Sequence, residues 1–531
     1  MTGGPFLRAF ATVSGFTGLS RILGFVRDQL FAAVIGPGLL LDAWFAAFTL
    51  PNVFRRTFAE GAMSAAFVPL LKQKLEAKGE AAAKAFARQA FAMLMLILTP
   101  LIALMVWAMP WIIQGIIGYG PEDGRYAATL IFGRIMIPYL LLMSAMALLG
   151  GALDALHRFA PKAAAPTLLN FILIALLWWI GLQELRGGLP ELSNDARLLS
   201  AADQAAGELL SWGTLLAGFA QLAMVWWPAA RLGWAPQPVW PRGTALFLRR
   251  MVPGFIAGGG FQISSLIVLA LAASSPGDLS HLRFADRIYQ LPLGLIGIAL
   301  NTILISTLSG LIARGQTQAA LTQLNLGLEV TLLFSLPIAL TCLVQAEFLF
   351  QGLFEYGNFT AQDSRGAGLA LTGYALGIPA AVGQKVLQPA FFARGDTRWP
   401  MVHSLASVGV AVAFSYLLYP VYGIFGLALA ASIASWTGLL SLVVHLYLRG
   451  NFRPDRSLLL RPLAMLASAG LMVLFLSLVL DLLANFGSYG FAVRIPLTLV
   501  LVVLSGVVYA IAAYFMGGVD ARVMRLFRRP L

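Results

Sequence analysis

Charge is what this 531-residue sequence most lacks: Asp, Glu, Lys and Arg together make up 11% of it, against 59% hydrophobic residues. Soluble domains carry about 25% charged residues, so most of this chain is built for a medium other than water. Cysteine is nearly absent as well. The single Cys342 excludes a disulfide framework and any CxxC metal or redox motif. There is no GxxxxGK[ST] loop to cradle nucleotide phosphates and no HExxH pair for zinc, and His157, His281, His403 and His445 are scattered. An enzyme, an ATP-driven pump and a resident metal or cofactor are therefore not expected. Strands of about ten residues with alternating polarity, the mark of a membrane barrel, are missing too. Only Arg8 precedes the first apolar segment, which itself holds Arg21, Arg27 and Asp28. That segment is expected to remain as a first span and not to be cleaved as a signal peptide.

What the chain has instead is apolar runs of about 20 residues, each long enough to cross a bilayer as a helix. Mean hydropathy is +0.82. The expected fold class is an all-α polytopic membrane protein of about fourteen spans. These are placed at residues 9–34, 41–71, 89–117, 127–151, 163–183, 208–229, 248–274, 282–312, 321–350, 365–393, 400–418, 423–447, 458–482 and 492–516. The net charge of +13 does not point to nucleic acid, because the basic residues lie in short loops without aromatic interleaving. They sort by side. Lys72, Lys74, Lys78, Lys84 and Arg88 follow span 2, Arg158 and Lys162 follow span 4, and Arg449, Arg453, Arg456 and Arg461 follow span 12, whereas odd-numbered spans are followed by few. By the positive-inside rule both termini are cytoplasmic, which requires an even number of spans.

The sequence also repeats itself. Phe48-Thr-Leu-Pro51 corresponds to Tyr289-Gln-Leu-Pro292, and Ile137-Pro138 to Ile378-Pro379; both pairs of prolines are offset by 241 residues. A displacement of six spans keeps orientation, so the repeat is parallel, as in transporters. The expected organisation is residues 1–235 for spans 1 to 6, 236–450 for spans 7 to 12, and 451–531 for two further spans and a cytoplasmic tail. The segment from Glu184 to Asp203, the longest on the outer side, either shields the outer mouth or is simply solvated.

Charges inside spans are costly, roughly 2.5 to 3.5 kcal/mol for an arginine at the bilayer centre on the mildest scale, and so mark function or a partner. Arg21 and Asp28 share a helical face within about 20°, with Arg27 about 120° from Arg21. In span 2, Asp42 and Arg56 share a face, Arg56 and Glu60 can pair at i, i+4, and Pro51 is expected to kink the helix before the arginines. Asp286 and Arg287 precede Pro292 in the equivalent half. Arg56 with Glu60 reads as structural. Asp28, Asp42 and Asp286 either lock helix contacts or orient neighbouring arginines. Arg21, Arg27, Arg55 and Arg287 outnumber their convenient partners, and a planar bidentate donor suits phosphate, so a phosphate-bearing substrate is expected. Arg134 and Lys385 either line the same cavity or snorkel. The run Gly258-Gly-Gly260 reads as a hinge.

The stretches SRILGFVRD, DAWFAAFTLPNVFRRTFAEGAMSAAFVP, APTLLNF (Ala165 to Phe171) and ADRIYQLPLGLIGIAL resemble the MurJ (MviN) family of lipid II flippases, within the multidrug/oligosaccharidyl-lipid/polysaccharide (MOP) exporter superfamily. The LPNxxRRxFAEGAxSxAFVP run is specific to that family, and the resemblance covers nearly the whole chain. It implies two six-helix lobes around a central cationic cavity, with two C-terminal helices adding a hydrophobic groove. It also implies movement of the undecaprenyl-diphosphate-linked peptidoglycan precursor, lipid II, from the cytoplasmic to the periplasmic leaflet of the bacterial inner membrane by alternating access. The family's required arginines match Arg21, Arg27, Arg55 and Arg287, with Asp28 and Asp42 as acidic partners. No cofactor is implied; membrane potential or a coupling ion would supply the drive, and the chain is expected to act as a monomer, with the cell-wall synthesis machinery as a partner. The alternative is another exporter of a polyprenyl-diphosphate-linked saccharide. A drug exporter would need an acidic cavity, and a non-transporting scaffold would need no central arginines.

Overall fold

The computed structural model describes residues 3–56, 64–186, 199–237, 239–241, 247, 249, 262–483 and 486–519. Among these there is no strand. The helices are α1 (Gly3–Leu30), α2 (Leu39–Arg55), α3 (Ser64–Ile112), α4 (Tyr126–Met136), α5 (Tyr139–Ala155), α6 (Ala160–Leu185), α7 (Ala201–Arg231) and α8 (Gln262–Ala272). They continue as α9 (Asp278–Pro292), α10 (Ile298–Ala313), α11 (Thr317–Val344), α12 (Ala346–Leu353), α13 (Ala361–Ala375), α14 (Ile378–Phe392), α15 (Arg398–Leu448), α16 (Arg456–Leu482) and α17 (Phe491–Phe515).

Lipid offers no hydrogen bonds, so the backbone must satisfy its own, and helices are the outcome. Nine helical stretches among the described residues are long and apolar enough to cross a membrane, and α13 with α14, bent by 43°, makes a tenth. Two features reconcile this with about fourteen expected spans. The 51 residues of α15 hold a non-helical Gly423, so two spans follow each other across one break. Spans 1, 2 and 7 escape a count by hydropathy because of their charges or because only part of each is described. This is a multi-pass membrane protein.

The repeat seen in the prolines is physical. Pro138 sits at the break between α4 and α5, and Pro379 opens α14 after α13, so one span in each half is interrupted at the equivalent place. Pro292 is followed by a π-turn at Leu293–Gly297, where the missing N–H loosens the ladder. Pro51 lies inside α2, which continues past it to Arg55.

The chain divides into two compact units, Met1–Ser280 and His281–Leu531. In the first, α1 packs on α6, α2 on α4, and α5 on both α3 and α7. A buried polar relay ties three of these helices: Tyr139 donates to Gln221 at 3.1 Å, and Gln221 donates to the Ala165 carbonyl at 3.0 Å. In the second, α14 packs on α11 and α15, while α16 packs on α11 and α17. Helices in lipid associate through close packing, which small residues allow. A Cβ on Gly373 would lie 2.8 Å from the Phe425 carbonyl oxygen, so α13 and α15 touch backbone to backbone only because of that glycine. Buried ion pairs hold the last two helices: Arg461 on Glu329 at 2.7 Å joins α16 to α11, and Arg494 of α17 meets Glu355 at 3.3 Å. Of the segment from Glu184 to Asp203 only the ends are described; Ser200 and Asp203 form a capping box that opens α7.

Candidate functional site

Arg27 lies in the last turn of α1, where the partial negative charge of the helix end favours a cation. Its Nε and Nη2 both donate to one oxygen of Asp28, at 3.1 and 2.7 Å. Its Nη1 donates to Asn170 Oδ1 of α6 at 2.9 Å, and Asn170 in turn donates to the Ser20 carbonyl at 2.9 Å. The guanidinium is 15% exposed and is thus fixed by a neutral amide that is itself anchored to α1. Arg21, further up α1, is exposed. Within this group the structure brings Arg27 and Asp28 together.

Arg55 ends α2 and donates from Nε to Asn52 Oδ1 at 3.1 Å, one turn back. Arg56 beside it is exposed. Glu60, its expected partner, lies outside the described residues, as does Gly258–Gly260.

Asp42 is wholly buried. One oxygen accepts from the Gly277 N–H at 2.6 Å; the other accepts from the Ser280 N–H at 2.9 Å and the Ser280 hydroxyl at 2.6 Å. These are donors at the start of α9, so a carboxylate from α2 serves as a cap there. Arg125 Nη1 stands 3.5 Å from the same carboxylate. Arg125 is clamped by Asp123 through two contacts at 2.9 and 2.7 Å and lies 4.1 Å over the Tyr119 ring. In this loop burial opposes charge on Asp123, yet the Arg125 hydrogen bonds and charge outweigh it and hold the carboxyl below its usual range. Burial likewise pushes the Tyr119 phenol far above its ordinary value. Of the two roles expected for Asp42, its contacts with the Gly277 and Ser280 amides are those of a carboxylate that locks a helix contact, and Arg125 is the arginine beside it.

In the second unit Arg287 and Asp286 sit on α9, five and six residues before Pro292. Asp286 accepts from Gln290, and Tyr289, two residues after Arg287, stacks on Tyr374 of α13 with ring centres 4.9 Å apart. Lys385 is exposed, with its stem against Gly297 in the π-turn after Pro292. Arg134 is exposed and reaches the Val106 carbonyl of α3. No cluster of three or more His, Cys, Asp or Glu suited to a metal occurs among the described residues.

Sequence reasoning missed Asn170, although a lone amide in an apolar span is a visible signal. It also missed the burial of Arg125, which reads as one more loop charge, the pair of Glu329, a charge visible inside span 321–350, and the pair of Glu355, which lies just beyond that span.

Arginines fixed inside apolar helices, in a helical membrane protein made of two repeated halves, define a transporter for an anionic, membrane-borne substrate. The comparisons sharpen this. A family profile described as lipid II flippase MurJ matches residues 31–501. A relative from Rhizobium meliloti (strain 1021), described as a probable lipid II flippase MurJ, is 37% identical over 99% of this chain and 96% of its own length. A solved structure of lipid II flippase MurJ in an inward closed conformation is similar in fold, with a TM-score of 0.75 at 23% identity, covering 95% of this chain and 98% of that one. An inward-facing multidrug resistance MATE family transporter of the MOP superfamily is also similar in fold, with a TM-score of 0.65 at 12% identity over 81% of this chain and 94% of that one. The chain belongs to the lipid II flippase MurJ family.

Proposed function

We propose that Arg27, Arg55 and Arg287, with Arg21 at the approach, hold the diphosphate of lipid II while this chain carries it across the membrane. The observation that carries the assignment is the fixing of Arg27: its guanidinium is oriented by Asn170, and its two remaining donor groups both meet one oxygen of Asp28, an acceptor that a phosphate oxygen can replace. Phosphate oxygens are the natural replacement for that one carboxylate oxygen, since guanidinium binds both in the same planar way. Asp42, diverted to α9, does not compete.

On this reading the polyprenyl tail stays in lipid along α16 and α17 while the headgroup passes from the cytoplasmic to the periplasmic leaflet of the inner membrane by alternating access. Both termini are cytoplasmic, the chain acts as a monomer, and it delivers substrate to the cell-wall synthesis machinery. No bond is made or broken. With the inside negative, outward movement of an anionic headgroup is downhill by about 2.3 kcal/mol per charge per 100 mV, a drive that needs no nucleotide.

The test is lipid II movement in proteoliposomes, with and without an imposed potential. Arg27→Gln should abolish movement while the protein stays folded, and Asn170→Leu should weaken it with the arginine still present. Full transport by Arg27→Gln would sink the site assignment; a rate indifferent to the potential would remove the proposed drive.

A further inference from the structure

Away from the arginines, the first unit contains an apolar cleft of about 970 Å³. One wall is a stripe along α3 that includes Phe91, Met95 and Thr99, recurring every four residues and so lying on one face. The other wall is Trp226 of α7 together with the segment that follows that helix. This second wall is built by a helix-ending turn. Gly233, at φ 73°, takes the left-handed conformation after α7; Trp234 N–H bonds the Ala229 carbonyl at 2.8 Å and Gly233 N–H the Ala230 carbonyl at 2.9 Å, the Schellman pattern. Trp234 is buried, and Pro236, Trp240 and Pro241 then return along α3. Phe91 and Trp226 meet edge to face, 6.2 Å apart. The rim is open: Leu96 is 52% and Trp240 73% exposed.

The stripe continues past the cleft into charge. Arg88 stands one turn before Phe91 and Ala92, and Lys84 one turn before Arg88, on the same face. The Nε of Arg88 is buried with no hydrogen-bond partner, a donor left without an acceptor. Lys84 bonds Glu80 at 2.8 Å and lies 5.7 Å from the Trp234 ring. Two cations and one exposed carboxylate leave a surplus of one positive charge at the head of an apolar cleft. From Phe91 to Pro100 the stripe runs about 13.5 Å along the helix axis, room for much of one hydrocarbon chain.

We propose that this cleft holds one acyl chain of an anionic phospholipid, whose phosphodiester rests on Arg88 and Lys84. A phosphodiester brings the single negative charge that the surplus matches, and its oxygen supplies the acceptor that Arg88 Nε lacks. The site is separate from the transport arginines and holds a lipid that is bound and not moved.

Native mass spectrometry of the purified full-length chain, incubated in turn with dioleoyl phosphatidylglycerol, dioleoyl phosphatidylcholine and undecaprenyl diphosphate, tests this. The wild type should retain one phosphatidylglycerol more firmly than phosphatidylcholine. K84Q/R88Q should weaken that retention by about 30-fold, following the usual attraction per basic residue to an anionic lipid surface. Ala92→Trp, which fills the cleft and leaves the cations, should reduce retention of both phospholipids; Met95→Trp serves if that variant does not fold. R27Q should retain phosphatidylglycerol as the wild type does. Equal retention of the two phospholipids by the wild type, retention unchanged in K84Q/R88Q, preferential capture of undecaprenyl diphosphate by the cleft, or loss of phosphatidylglycerol in R27Q would each overturn the proposal.

Discussion

Replacing Asp42 with asparagine removes one charge and turns one acceptor oxygen into a donor at a position with no exposed surface. In the native chain the carboxylate accepts two backbone N–H groups and one hydroxyl at the start of α9. Whichever way the new amide is turned, its NH2 faces at least one of those donors. A buried donor left unsatisfied costs about 1 to 3 kcal/mol, and the lost charge at a helix N-terminus adds about 0.3 to 1. The sum is about 3 kcal/mol, and it falls on the first turn of the helix that carries Arg287. Hydrogen exchange reads such a local loss directly: amides of Gly277 and Ser280 should exchange about 150-fold faster in D42N than in the wild type. Ser280→Ala removes only the hydroxyl and should accelerate exchange less. Because Asp42 and Ser280 touch, the double variant should fall short of the sum of the two. Exchange at these amides within twofold of wild type in D42N would refute the capping role.

The remaining predictions concern ion pairs and acid. Glu329→Ala should cost about 3 to 5 kcal/mol in a mixed-micelle unfolding titration, because Glu329 is 3% exposed and Arg461 loses the carboxylate it meets at 2.7 Å. Glu347→Gln is the control: its pair with Arg365 has side chains 46% and 72% exposed, so the change should stay within about 1 kcal/mol. The loop at Asp123 and Arg125 should be acid-labile. The folded carboxyl titrates below its ordinary value, so its tie to Arg125 is complete above about pH 4 and is lost as pH falls through the lowered value. D123N should abolish the acid-dependent step in exchange of residues 119–126, and a step that persists in D123N would assign the effect to another group.

Much of the fold is readable in advance because lipid narrows the choices to helices, and because Pro138 and Pro379 mark equivalent breaks. The same sequence hides the tertiary partners of its charges. Asp42 shares a helical face with Arg56 by angle alone, but its ligands come from residues 277 and 280, more than 230 positions away. Periodicity carries no information about that distance. Arg125 reads as a topology signal because it follows an odd span, yet it is 3% exposed and clamped by Asp123. A count of loop charges treats every loop as solvated, and this one is folded into the protein. Arg27 could be placed on α1 from its spacing, whereas Asn170, 143 residues on, becomes its partner only once α6 packs against α1.

The carboxylates, more than the arginines, show how the membrane-embedded charge is arranged. Asp42 is spent on backbone amides and Arg125, and Glu329 and Glu355 on fastening α16 and α17. Asp28 meets Arg27 through one oxygen. Lipid penalises a charged side chain, so each of these groups is kept only where it has a partner or a task. On the proposed reading, an arriving diphosphate competes with Asp28 for Arg27 Nε and Nη2 while Asn170 keeps Nη1 and so preserves the orientation. Release then follows when Asp28 takes the donors back. On that reading, binding and release of a highly charged headgroup turn on an exchange of acceptors at a guanidinium whose orientation Asn170 preserves.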